Sequence, residues 1–405
     1  MIETDSTHQP IVVDDVDADW LLALCEDAEV ESRRAERRRL RYALRWAHLH
    51  PADPADIAKG HVEHVGGDGT PDVEEFTADP LGAAFQITTH AARQLISDAL
   101  DLHYRLPKTW ARVEALEVPA WRARRIAQAT SQLTREQAAE VDQTLAPKAH
   151  ACGTRLIDRA IADATQAPVQ TEAEVIDRTS WGVRLFHGPM TGPGRWVGSS
   201  ILEITGDTAD LTQLYERLTA TAETLPGTDP LDVRRALAVR HLDTGARPRV
   251  RLYVHTDLET EGVGSVERLG PLSVQRIKDW VGHSSVTVVP VIRMDRTDAV
   301  DRHDPPQWMR ELVILRDQHC VFPWCATDAR SCDLDHVIPY DDGGPTSPLN
   351  LAPLCRHHHR AKTRRRWRYK REPDGTYTWT GSHARRYCVS VHDGTHVLAD
   401  PDDRD

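Results

Sequence analysis

Lysine is scarce in this chain, and so are aromatic residues and long apolar runs. Of 50 basic residues only six are Lys and the rest are Arg, which suits planar forks for phosphate and carboxylate better than point charges. GC-rich coding produces the same bias, so it carries little weight here. Phe, Trp and Tyr together make up 6% of the residues. No stretch approaches the roughly 20 uncharged apolar residues that a membrane-spanning helix needs, which excludes a helical membrane protein. The opening segment, "MIETDSTHQPIVVDD", lacks both a basic leader and an apolar run, so a signal peptide is not expected and a cytoplasmic location is. Seven cysteines in 405 residues are too few for a disulfide scaffold. Four of them (Cys320, Cys325, Cys332 and Cys355) fall in one short window, which in a reducing compartment points to metal rather than disulfides.

What is present is unevenly placed charge. The net charge is -12, yet residues 1–32 hold ten carboxylates and no Lys or Arg, so the remainder is close to neutral. Residues 353–371, "PLCRHHHRAKTRRRWRYKR", carry nine Arg or Lys and no carboxylate. Such a local field attracts a polyanion, although a charge run is as often simply a solvated face.

A chain of this length divides into two or three domains. The first 15 residues read as an acidic, disordered tail. From Ala18 to His50 apolar residues (Trp20, Leu21, Leu24, Ala28, Leu40, Ala43, Leu44, Ala47) recur at helical spacing until Pro51, giving one long helix or two. After a Pro/Gly/Asp-rich connection, Val73–Leu106, Ala111–Ala129 and Arg135–Asp163 read as helices. Within them, Leu81–Leu106 has the short-helix, turn, longer-helix rhythm of a helix-turn-helix, a rhythm that ordinary helical bundles share. A second linker, "ATQAPVQTEAEV", leads to a hairpin-like pair of strands, helices at Asp210–Thr224 and Pro230–Asp243, the strand-like "RVRLYVHTDL", a short helix "PLSVQRIKDWV" and the strand-like "SVTVVPVIRMD". The helix "QWMRELVILRD" then enters the Cys/His cluster.

Zinc takes four N or S ligands at tetrahedral corners, commonly as two short-spaced pairs. Cys320 and Cys325 have four residues between them, around a Pro, and Cys355 and His358 have two. Together they form a Cys3His structural site, with Cys332 as a fifth candidate. What remains is Asp335, His336, Asn350 and His359, on a pattern that reads as strand, Gly-rich loop, strand, then helix from about Asn350 or Pro353.

"DLDHVIPYDDGGPTSPLNLAPLCRHHHRAKT" resembles the HNH nuclease motif. The match includes the Asp-His pair, the Pro after it, the Gly-Gly turn, the Asn-Leu dipeptide and the Cys-x-x-His-His-x-x-Lys run. More widely, "RLRYALRWAHLHP", "LDLHYRLPKTWARVEALEVPAWRARRIAQAT", "GPLSVQRI" and "LRDQHCVFPWC" are similar to the bacterial 13E12 repeat family, in which a helical domain of unknown function precedes a C-terminal HNH domain. The resemblance implies an α+β multidomain chain: an acidic tail at 1–17, a helical domain at 18–165, a mixed α+β segment at 175–300, a zinc-stabilised ββα-metal HNH domain at 305–395 and an acidic tail at 396–405.

Phosphodiester hydrolysis requires a water to lose its proton while the phosphate and leaving oxygen are neutralised. His336 suits the general base. Asp335 and His359 would hold one divalent ion, Mg2+ or Mn2+ or another, since one carboxylate and one imidazole discriminate poorly. Asn350 would pin the loop, orient His336 or approach the metal. His357 receives no role. Adjacent strand residues face opposite ways, so a bulge or a strand end is expected at Asp335–His336. Arg356, Arg360, Lys362, Arg364, Arg365, Arg366 and Arg368 are the candidate DNA contacts. Trp367 and Trp379, interleaved with basic residues on an expected hairpin, suit either DNA or the nuclease core. Cutting both strands with one active site per chain favours a homodimer or sequential nicking. The competing reading is a zinc-stabilised DNA-binding module that does not cut; the intact Asp335, His336, Asn350 and His359 set favours the enzyme. The acidic N-terminus is a candidate DNA mimic over the basic face.

Overall fold

The computed structural model describes residues 17–53, 61–165, 181–187, 200–242, 294–381 and 383–399, with residues 2–4, 10–12, 57, 254–255, 263–266, 270–273, 275 and 278. Helices and small antiparallel sheets alternate along it, and it divides into two compact units, Met1–Gln170 with Ile292–Asp405, and Thr171–Val291. Among the described residues no helix is long and apolar enough to cross a membrane.

In the first unit, strands β1 (Ile2–Thr4) and β2 (Pro10–Val12) pair antiparallel within the expected acidic tail, whose other residues up to 16 lie outside the described set. The spacing of apolar residues from Ala18 resolves as a single helix, α1 (Ala18–Leu49), capped by the Asp17 carboxylate on the Trp20 N–H. Two short strands, β3 (Val62–Glu63) and β4 (Val73–Glu74), pair next. Six helices follow: α2 (Ala78–Phe85), α3 (Thr89–Tyr104), α4 (Pro107–Glu114), α5 (Ala120–Ala129), α6 (Arg135–Leu145) and α7 (Thr154–Thr165). The break expected between Leu106 and Ala111 is therefore helix from Pro107. Pro107 sits at its first turn, where a missing N–H costs nothing, and the buried Asp142 accepts from the next two backbone N–H groups, of Lys108 (2.8 Å) and Thr109 (2.9 Å). Leu40, Ile96, Leu100, Leu106, Ile126 and Val141 form the core of this bundle, each worth about 1.5–3 kcal/mol of burial.

The second unit holds a hairpin of β5 (Gly182–His187) with β6 (Ser200–Thr205), where the sequence indicates one. Helices α8 (Thr208–Thr224) and α9 (Leu231–Ala238) pack on each other. A three-stranded sheet joins β7 (Val254–His255), β8 (Val263–Val266) and β9 (Gly270–Ser273). The expected helix at "PLSVQRIKDWV" thus begins as strand, because Gly270 and Pro271 continue the pairing with β8. The expected strand at "SVTVVPVIRMD" lies outside the described residues up to Arg293, as does the linker after Thr165.

The chain returns to the first unit at α10 (Gln307–Asp317), whose Met309 and Val313 pack on Leu351. Strand β10 (Asp333–His336) pairs antiparallel with β11 (Leu351–Leu354), and helix α11 (Arg356–Thr363) follows, a ββα unit. The helix begins later than the sequence suggests, since Leu351–Leu354 is strand, buried on both faces. A four-stranded antiparallel meander closes the chain: β12 (Arg368–Arg371), β13 (Tyr377–Thr380), β14 (Arg386–Ser390) and β15 (Gly394–Leu398). The last strand takes in the first residues of the expected C-terminal tail. Arg316 of α10 ties these parts together, its guanidinium on the Leu351 carbonyl (2.7 Å) and the Tyr377 hydroxyl (2.9 Å). Trp367 and Trp379 are buried in this core, the Trp379 indole donating to the Val321 carbonyl at 2.6 Å, so neither is free to stack on DNA bases.

Candidate metal centre and active site

The two Cys/His pairs come together as their spacing suggests. The turn after α10 presents Cys320 and Cys325, while Cys355 at the cap of α11 and His358 one turn later approach from the other side. The sulfurs and one His358 nitrogen all lie within 4.8 Å of one another. His358 Nδ1 is 3.1 Å from Cys355 Sγ and 3.5 Å from Cys320 Sγ. With metal–sulfur bonds of about 2.3 Å, tetrahedral ligands stand about 3.7 Å apart, so the four donors are close enough together to share one ion after small adjustments. Burial pulls the His358 pKa down, but hydrogen bonds donated by the ring to the Cys325 and Cys355 sulfurs outweigh it and raise it to about 10. An ion binding here would replace that proton. Cys332 is not one of the four: buried, its thiol donates to the carbonyl of Asp328 at 3.4 Å.

Strand β10 sorts the second set by alternation. Asp333 and Asp335 share one face, and His359 of α11 bridges them, Nδ1 3.0 Å from Asp333 Oδ2 and Nε2 3.2 Å from Asp335 Oδ1. The Asp335 hydrogen bond, and after it Asp333, raise the His359 pKa against the effect of burial. Asp335 is itself buried, which alone would raise its pKa; hydrogen bonds from His359 and Tyr369 and the charge of Lys362 hold it below its ordinary value. The Lys362 ammonium touches both carboxylate oxygens (3.1 and 3.0 Å) and the His336 carbonyl (2.8 Å), and the Tyr369 hydroxyl donates to Asp335 Oδ2 at 2.8 Å.

His336 faces the other way and is the last residue of its strand; the register with β11 runs through it without a bulge, so the expected irregularity takes the form of a strand end. Its Nε2 is 2.8 Å from Thr346 Oγ1, and the Thr346 hydroxyl donates to the His303 carbonyl at 3.2 Å. A hydroxyl has one proton to give. With that proton on His303, the Thr346 oxygen accepts the Nε2 proton of His336, leaving Nδ1 with a free lone pair. Burial, and then the neighbouring His303, lower the His336 pKa and keep the ring neutral.

Asn350 pins the loop between the two strands rather than touching His336. Its Oδ1 accepts from Ile338 N–H (2.9 Å), and its Nδ2 donates to the carbonyls of Ile338 (3.0 Å) and Pro345 (2.9 Å). Gly344 permits this closure: a Cβ there would stand 2.0 Å from the Ile338 carbonyl oxygen and 2.8 Å from Asn350 Nδ2.

The basic residues are not a uniform outer face. Lys362 is turned inward on Asp335. Arg360 and Arg364 both pair with Glu75 of the helical region, and Arg366 lies 3.5 Å from Glu74. Arg356 is exposed and pairs with Asp333 at 3.1 Å, and Arg365 and Arg368 are exposed. His357 donates to the buried Asp79 at 2.8 Å. The expected helix-turn-helix falls on α2 and α3, with Thr89 at the start of α3 against His358.

Asp333, Thr346, His303 and Tyr369 are absent from the sequence-based set. Only Asp333 carried a signal, since it stands two residues from Asp335 and a strand repeats every two.

Residues 320–365 match the HNH endonuclease family. A metal-dependent nuclease segment, with a nucleic acid as its substrate class, is thereby supported in the region where the ββα unit lies. The chain is 44% identical to the uncharacterized protein Rv3776 of Mycobacterium tuberculosis over 86 residues, 21% of this chain and 16% of that protein. It is 34% identical to the uncharacterized proteins MT2160 and Rv2100 of the same species over 147 residues, 36% of this chain and 25% of each. The matched part is thus a quarter or less of these relatives' own lengths. No solved structure matches the chain.

Proposed function

We propose that the chain is a DNA endonuclease of the HNH type, acting in the cytoplasm, with the architecture of the 13E12 repeat family. The observation that carries this reading is the division of labour at the end of β10. A buried imidazole, held through Nε2 by the Thr346 hydroxyl at 2.8 Å, lies on one side, and a carboxylate and imidazole 3.2 Å apart lie on the other. His336 takes the proton of the attacking water at Nδ1 and passes no charge to Thr346, which only holds the ring. Asn350 keeps the loop closed so that His336 and Thr346 stay aligned.

Asp335 Oδ1 and His359 Nε2 would hold the catalytic divalent ion; their separation matches the edge of about 3.0 Å between adjacent donors bonded at about 2.1 Å. Such an ion supplies charge neutralisation for the phosphate and the leaving oxygen. Cys320, Cys325, Cys355 and His358 would hold structural zinc. Arg356, Arg365 and Arg368, which are exposed and not paired with Glu74 or Glu75, are the proposed contacts to the DNA backbone.

One observation favours the second reading, a DNA-binding module that does not cut: the Lys362 ammonium already neutralises Asp335. A divalent ion must compete with it for Oδ1, leaving Lys362 on Oδ2 and the His336 carbonyl. Incubating purified chain with supercoiled plasmid separates the two. Nicking or linearisation in Mg2+ or Mn2+ that EDTA abolishes supports the nuclease, whereas binding without cleavage under every divalent ion supports the module.

A further inference from the structure

The Cys3His cluster is closed on one side by the helical region, some 270 residues away in sequence. His358 offers Nδ1 to the cluster, and its other nitrogen, Nε2, lies 3.1 Å from the hydroxyl of Thr89, the first residue of α3. Asp79, in the first turn of α2, is fully buried; its Oδ1 accepts from His357 Nε2 at 2.8 Å and stands 4.0 Å from His358 Nε2. Its Oδ2 is buried with no hydrogen-bond partner among the described residues. The surroundings are shared as well. Phe322 stacks on His358 with ring centroids 3.7 Å apart, the Phe76 ring meets His357 at 5.1 Å, and Phe76 and Ala83 belong to the same core as Cys320, Trp367 and Trp379.

A histidine that ligates through one nitrogen has its tautomer and ring plane set by what the other nitrogen meets. Here that partner is Thr89, with Asp79 behind it, and both come from outside the ββα unit. A carboxylate buried with one oxygen unsatisfied is costly, and the imidazoles of His357 and His358, set edge to face with ring centroids 5.1 Å apart, account for its position in a way that the start of α2 alone does not.

We propose that Thr89 and Asp79 are positioning residues for the structural metal, so that loading of the Cys3His cluster and docking of the helical region onto the nuclease unit stabilise one another. The inference rests on the reading of those four residues as a metal site and is independent of whether the chain cuts DNA. By reciprocity, whatever factor the docked helical region adds to ion affinity, the ion adds to docking. The Asp79, His357 and His358 donors also lie close together, but a second ion there would require His358 to ligate through both nitrogens while losing its bond to Thr89.

The test uses the full chain as purified. Bound metal per chain is measured, followed by its release to a chromogenic chelator, for wild type, Thr89→Val, Thr89→Ser, Asp79→Asn and a control in α4, Glu114→Gln, whose carboxylate pairs with Arg41 and not with the cluster. Protease sensitivity of residues 73–92 is compared before and after the ion is stripped. The proposal expects one tightly held ion. Thr89→Val and Asp79→Asn should hold it roughly 10- to 100-fold more weakly, with Thr89→Ser and Glu114→Gln near wild type and cleavage within 73–92 appearing once the ion is gone. Unchanged retention in Thr89→Val, which keeps the side chain's shape, overturns the proposal while leaving the metal site standing. A second ion lost in Asp79→Asn also overturns it. A wild-type chain that binds no metal overturns both the proposal and the reading of the cluster.

Discussion

His359 is held between two carboxylates of a single strand, its Nδ1 3.0 Å from Asp333 and its Nε2 3.2 Å from Asp335. In the proposed reading the two imidazole nitrogens have different jobs: Nε2 would share the catalytic ion with Asp335, and Nδ1–H on Asp333 would fix the ring so that Nε2 points there.

Asp333→Asn should leave the Cys3His cluster loaded but weaken the response to catalytic metal. The expected outcome is a roughly 10- to 100-fold rise in the Mg2+ or Mn2+ concentration for half-maximal plasmid cleavage. Titrating each ion against the cleavage rate measures it, and an unchanged midpoint would remove Asp333 from the account.

The pH profile follows from His336. The neutral ring is the active form, and burial together with His303 lowers its pKa. Activity is then fully present at neutral pH and lost as pH falls through a value below the ordinary imidazole value of about 6.5. Cleavage rates between pH 5 and 8 under saturating metal test this. An acid limb above pH 7 would mean that the ring is stabilised in its charged form, contrary to its surroundings.

Thr346 sets the tautomer. Thr346→Val removes the acceptor of the Nε2 proton with little change of shape and should lower the maximal rate about 10- to 100-fold, a part of the 10²–10⁴ that general base catalysis contributes. Thr346→Ser should restore most of it. Equal loss in both variants would assign the effect to packing of the loop instead.

How much of this was legible in the sequence depended on chain distance. Cys320 with Cys325, Cys355 with His358 and Asp335 with His336 are close neighbours in sequence, so their grouping could be read directly, and the Gly-Gly turn marked the loop that Asn350 closes. Thr346 and His303 meet His336 through long loops, and Tyr369 reaches Asp335 from a separate sheet; none of these carries a periodic signal. The start of α11 was misplaced because "LAPL" is a short apolar run that suits strand or helix equally. Most hidden of all were Glu74, Glu75, Asp79 and Thr89. Nothing local tells these residues that their partners lie in a basic run some 280 residues on, and three of the nine basic residues of that run, Arg360, Arg364 and Arg366, are in fact met by Glu74 and Glu75.

The central claim is that His336 is the base of a metal-dependent nuclease whose structural metal is separate. The measurement that tests it most directly is cleavage of supercoiled plasmid by wild type and His336→Ala side by side in Mg2+ or Mn2+, with tightly bound metal determined in both. The account predicts cleavage by wild type alone and the same bound metal in each. Equal cleavage by the two, or none by a wild type that still binds the DNA and its metal, would contradict it.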